Sequence, residues 1–79
     1  MNTNEEFIVE PSIESQNGKI REWLHEGKAI TAIEALNLWG CFRLASRISD
    51  LRHKFGENIV REMIVTPSGK RVAQYRMAV

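Results

Sequence analysis

Arg43, Ser46, Arg47, Asp50 and Lys54 follow one another at steps of three, one, three and four residues. Steps of three and four place side chains along one side of a helix. Farther along, Lys70 and Arg71 come directly after Ser68-Gly69. An Arg guanidinium is a rigid fork of donors, a Lys ammonium is a point charge, and Ser and Asp supply single polar contacts. Together they offer contact chemistry toward an anionic, acceptor-rich partner, with no bond-breaking group among them. Bond-making chemistry has little else to draw on. Cys41 is the sole cysteine, and His25 and His53 sit in different segments without a paired nucleophile. There is no paired carboxylate site, no phosphate-binding loop and no nucleophile with a base, so the chain does not read as an enzyme. One cysteine permits no internal disulfide and no zinc spacing. No metal and no cofactor is expected. Cys41 reads as a small hydrophobe.

Those residues must be positioned by a single small domain. Seventy-nine residues, 43% hydrophobic and 27% charged, have an ordinary globular composition. Eleven Lys and Arg against ten Asp and Glu leave a net charge of only +1, but the charge is unevenly divided. Residues 1–40 carry three cations and seven acids, a balance of −4, whereas residues 41–79 carry eight cations and three acids, a balance of +5. A basic half on a neutral chain suggests one surface facing an anion. The start, Met1-Asn2-Thr3-Asn4-Glu5-Glu6, has no basic region leading into an apolar stretch, and no apolar run is long enough to span a membrane. These features predict a cytoplasmic protein with no membrane partner.

Residues 1–14 read as an N-terminal arm, with Phe7-Ile8-Val9 as a short apolar run stopped by Glu10-Pro11. Residues 15–79 form the domain. A first helix is predicted over residues 16–25, capped by Ser15, with Ile20, Trp23 and Leu24 as its apolar stripe and Gly27 as its stop. Thr31-Ala32-Ile33-Glu34 is a capping box that opens a short second helix over residues 32–39, ended by Gly40. Ala32, Ala35, Leu36 and Trp39 make its stripe, and the small Ala35 allows close helix approach. A third helix is predicted over residues 42–54, with Leu44, Ile48, Leu51 and Phe55 inward and Gly56 as the stop. At about 100° per residue, Arg43, Ser46, Asp50 and His53 then point outward, flanked by Arg47 and Lys54. Arg52 falls near the buried stripe, where it either extends to solvent or meets a carboxylate. From Ile59 the period changes. Residues 59–65 are β-branched and strand-like, Thr66-Pro67-Ser68-Gly69 fits a type I turn, and residues 70–77 return with Ala73, Tyr75 and Met77 on one face.

Three helices followed by a two-stranded hairpin predict an α+β fold, the winged helix-turn-helix. In that arrangement the helix after the turn enters the DNA major groove. The residues expected to contact DNA are Arg43, Ser46, Arg47, Asp50 and Lys54 on the third helix, with Lys70 and Arg71 at the hairpin tip.

Ile30-Thr31-x-x-Glu34-Ala35-Leu36, Gly40, the run Arg43-Leu44-Ala45-x-Arg47-Ile48-x-Asp50-Leu51-Arg52, and Gly69-Lys70-Arg71-x-Ala73-x-Tyr75 resemble the small helix-turn-helix proteins of bacteriophages and prophages. The resemblance spans about residues 15–77. It implies a winged-helix fold and a DNA-binding or regulatory role in phage or mobile-element biology, within a bacterial host cell. One departure from the pattern is Cys41-Phe42, which sets a large aromatic at the start of the third helix; Phe42 is either an exposed wedge or a residue that packs against the turn, and packing is the expected reading.

Several of these residues have a structural reading as well. Arg47 serves either DNA or an internal ion pair with Glu34 or Asp50, and Lys70 and Arg71 serve either DNA or the solubility of a strand edge. Trp23, Trp39 and Tyr75 read as core. Two functions follow. The first is sequence-specific binding of double-stranded DNA as a transcriptional regulator or accessory factor, with a homodimer joined through the arm or the first helix. The second is a winged helix that binds a host or phage protein, supported by Phe7-Ile8-Val9 and by Ile33 and Leu38, which lie off the stripe of the second helix.

Overall fold

The computed structural model describes residues 11–78. Helix α1, Ile13–His25, begins three residues before the expected start, because Ser12 rather than Ser15 is its cap. The Ser12 hydroxyl accepts from the Ser15 backbone N–H at 3.1 Å, and Ser12 itself is extended, φ −60° and ψ 154°, as a cap requires. The last two residues assigned to the arm are therefore helical, and the rest of the arm, with Phe7-Ile8-Val9, lies outside the described residues.

Strand β1, Ile30–Thr31, leads directly into α2, Ala32–Trp39. The capping box is formed as read: the Thr31 N–H donates to Glu34 Oε1 at 2.9 Å, and the Glu34 N–H donates to the Thr31 hydroxyl at 3.4 Å. Gly40 ends α2 in the left-handed conformation, φ 67°, which a side chain would strain. Helix α3, Leu44–Phe55, starts two residues later than expected and ends at Gly56, also left-handed.

Strands β2, Ile59–Val65, and β3, Arg71–Met77, form the hairpin in the register Ile59↔Met77 to Val65↔Arg71. The turn closes through the Gly69 N–H, which donates to the Thr66 carbonyl at 2.8 Å. Strand β1 pairs with the other edge of β3, Ile30↔Tyr75 and Thr31↔Gln74, so the sheet is three-stranded and antiparallel in the order β1-β3-β2. The sequence reading missed β1 because two residues carry no period.

The core lies where the three helices meet the inner face of this sheet. Ile20 and Leu24 of α1, Ala35 of α2, and Leu44, Ile48 and Leu51 of α3 pack with Cys41, Ile30, Ile59 and Tyr75. Trp23 and Trp39 border it edge to face, ring centres 5.4 Å apart. Two aromatic expectations are corrected. Phe55, read as core, is the last residue of α3 and is 51% exposed beneath the Arg21 guanidinium. Phe42, expected to pack, is also 51% exposed, since it precedes the helix instead of opening it. Arg52 is exposed, as the extended reading has it, and has no carboxylate partner among the described residues; its Nε and one terminal nitrogen donate to the Ile59 carbonyl at 3.1 and 2.9 Å, tying α3 to the first residue of β2.

Candidate nucleic-acid interface

The outward face of α3 is set by what the helix buries. Leu44, Arg47, Ile48 and Leu51 are its buried residues. At about 100° per residue, the side opposite them is centred on Ser46, Ser49 and His53, all exposed. That centre is turned from the expected Arg43-Ser46-Asp50-His53 line, and the cause is Arg47. Only 9% exposed, Arg47 points toward α1, and its Nε donates to Asp50 Oδ2 at 3.2 Å. The same carboxylate oxygen accepts from Asn17 Nδ2 of α1 at 3.4 Å. Placing Arg47 on the open flank is thus corrected: a buried guanidinium needs a carboxylate, and Asp50 lies one turn away. Ser49 and His53 were absent from the expected contact set, although their helical spacing from Ser46 marks them once the inward side is centred on Arg47 as well as the leucines.

Arg43 is exposed at the N-terminal boundary of α3, where no side chain caps the helix and the first turn holds no acid. Lys54 is exposed near the far end. The hairpin tip presents Lys70 and Arg71, both exposed, and Arg61 is exposed on β2. Among the described residues, none of these five cations has a carboxylate partner.

The acids from Arg43 onward are all engaged. Asp50 holds Arg47, Glu62 accepts from Arg76 Nε at 3.2 Å on the hairpin, and Glu57 in the α3–β2 link accepts from Arg21 and from His25 Nε2 of α1, the latter at 3.0 Å. The His25 hydrogen bond, with Arg21 beside it, holds the Glu57 carboxyl below the usual carboxylate range, although its partial burial pulls the other way. Each described acid on α3, the link and the hairpin is thus paired with a cation.

Geometrically, α2, the bend at Gly40 and α3 form the two helices and turn of a DNA-reading motif, with the hairpin beside them. The family model described as a winged helix-turn-helix domain matches residues 15–79. The chain belongs to the winged helix-turn-helix family. That membership suggests DNA binding as its class of activity, with α3 as the recognition helix and the hairpin as the wing. No curated protein and no solved structure matches the chain significantly.

An apolar surface adjoins the basic one. Ile33 and Leu38 of α2 are 60% and 50% exposed, and a groove between the α2 and α3 N-termini and the wing has mostly apolar walls. No cluster of three or more His, Cys, Asp or Glu able to hold a metal occurs among the described residues, and none of their helices is long and apolar enough to cross a membrane.

Proposed function

We propose that this winged helix-turn-helix binds double-stranded DNA sequence-specifically, as a transcriptional regulator or accessory factor of a phage or other mobile element in the bacterial cytoplasm. The observation that carries the reading is the pairing pattern. Every described carboxylate from Arg43 onward is occupied by a cation, while Arg43, Lys54, Arg61, Lys70 and Arg71 are exposed and have no carboxylate partner among the described residues. Exposed cations whose neighbouring acids are already paired suit a phosphate backbone. Ser46, Ser49 and His53 at the centre of the open face supply short polar groups for base edges, and Arg43 supplies the fork that matches guanine. Lys54, Lys70 and Arg71 are assigned to phosphates. Arg47 and Asp50 act from beneath, fixing α3 against α1 at the angle from which it reads. One module of this size covers little DNA, which favours a homodimer on two half-sites. No cofactor is called for, and family members are typically binding proteins rather than enzymes.

The exposed Ile33 and Leu38 favour a second reading, docking of a host or phage protein on α2. Selection from a randomised duplex library, followed by sequencing of the bound fraction, separates the two. Enrichment of a defined site supports DNA reading. Absence of any retained duplex at low salt transfers the function to the protein-docking surface.

A further inference from the structure

The groove between the reading helix and the wing has a volume of about 510 Å³. Its walls are Ala32 and Ile33 of α2, Leu44 and Ala45 of α3, and Val65 and Val72 of the wing. Ile33 and Val65 are 60% and 67% exposed. The one carboxylate on the walls, Glu34, is held by the Thr31 capping box. Strand β1 covers β3 only at Gln74 and Tyr75, so along residues 71–73 that edge of β3 has no strand partner among the described residues. Arg71 stands opposite Val65 in the hairpin register, on the same face of the sheet, with Lys70 next to it. The groove thus combines apolar walls, a strand edge with no partner among the described residues and a cationic rim, which suits an extended apolar segment flanked by acids.

The chain carries such a segment. Glu5-Glu6-Phe7-Ile8-Val9-Glu10 lies outside the described residues and sets three apolar side chains between acids. Its point of attachment is fixed. The Pro11 carbonyl accepts from Gln16 Nε2 at 2.6 Å, and Pro11 Cδ lies 3.6 Å from where a Cβ on Gly40 would be. Ile33 is seven residues back along α2 from Gly40, about 10 Å by helical rise. Phe7 is four residues from Pro11, which spans up to about 13 Å when extended. We propose that Phe7-Ile8-Val9 docks in this groove of its own chain as an extended segment beside β3, and that the docked acidic arm competes with DNA for Arg43, Lys70 and Arg71. The competition rests on the DNA reading; the docking does not.

Two measurements on the full-length chain test this. The first is nuclear Overhauser contact between the Phe7 ring and the Ile33, Val65 and Val72 methyls, recorded at two concentrations and in a mixed-isotope sample. Contacts within one chain, unchanged on dilution, are expected. Absence of contact with the groove, or contacts only between chains, overturns docking in cis. The second is fluorescence anisotropy with a mixed-sequence duplex, comparing wild type with a Phe7→Ser, Ile8→Ser, Val9→Ser variant and a Glu5→Gln, Glu6→Gln, Glu10→Gln variant. If the arm is docked in nine molecules of ten, the serine variant binds about tenfold more tightly, and the glutamine variant also gains. Unchanged affinity in both variants overturns the competition. If neither wild type nor variant binds duplex while the intrachain contacts persist, the DNA reading fails and the docking stands.

Discussion

Replacing Arg47 with Met tests whether this arginine holds the recognition helix or reads DNA. Met keeps much of the stem volume and removes the guanidinium. Breaking a fully buried ion pair costs about 3–5 kcal/mol because a charge is left unpaired, whereas an exposed pair contributes about 0–1 kcal/mol. Here the two side chains are 11% and 20% exposed, and Asp50 keeps its hydrogen bond from Asn17. The cost should therefore lie between those limits, at about 2 kcal/mol. For a domain of this size, each kcal/mol shifts the melting temperature by about 4–8 °C, so Arg47→Met should melt roughly 8–16 °C lower. Adding Asp50→Asn removes the stranded charge while leaving an acceptor for Asn17, and the double variant should recover part of the loss, giving a coupling energy on the order of 1 kcal/mol. Circular dichroism at 222 nm during heating reads Arg47→Met, Asp50→Asn and the double variant. At a temperature where Arg47→Met is fully folded, its DNA affinity should stay within about twofold of wild type. A melt within about 2 °C of wild type, combined with a specific loss of DNA binding, would refute the assignment and make Arg47 a contact residue.

Thr31→Ala removes the hydroxyl that caps α2 and should lower stability by about 1 kcal/mol, read as a fall in melting temperature. Glu57→Gln tests the link between α1 and the α3–β2 loop. Because the folded carboxyl titrates below its ordinary value, the ionised form stabilises the fold above the unfolded carboxylate pKa, and this contribution is lost as pH falls through the lowered folded value. Wild type should thus lose stability on acidification toward and below about pH 4 more steeply than Glu57→Gln, in urea titrations run across that range. Lys70→Ala and Arg71→Ala should weaken all duplex sequences alike, and each should make the slope of log K against log salt shallower by about 0.9; sequence-dependent losses would instead place these residues at base edges.

The element order, the three glycine-terminated helices, the capping box and the hairpin were legible because each rests on local pattern: a period of 3.6, a period of 2, a cap or a stop. What was not legible depends on packing between distant segments. Arg47 looked like an outward cation because its helical angle lies at the margin of the apolar stripe, and only Asn17 and Asp50 meeting there draw it inward. Arg52 satisfies the Ile59 carbonyl, a partner that side-chain spacing cannot reveal. Strand β1 exists because β3 offers its edge, and neither Ile30 nor Thr31 announces that. For the candidate site, the residue types were readable, but the rotation that centres Ser49 and His53 required knowing what α3 buries. The start of α1 was read at Ser15, although Ser12 caps it; Glu14, which falls in the first turn, was the available signal.

The account's central claim is that the open face of α3 and the wing bind duplex DNA through exposed, unpaired cations. Its most direct test is the salt dependence of duplex affinity for wild type and Arg43→Glu, measured by fluorescence anisotropy. If Lys54, Arg61, Lys70 and Arg71 each neutralise one phosphate while Arg43 meets a base edge, the wild-type slope of log K against log salt should be roughly −3 to −4. Arg43→Glu should fold with the wild-type melting temperature and lose specific binding, because it sets a carboxylate against base edges and phosphates. Wild type that binds no duplex at low salt, or a normally folded Arg43→Glu protein with the affinity and slope of wild type, would contradict the account.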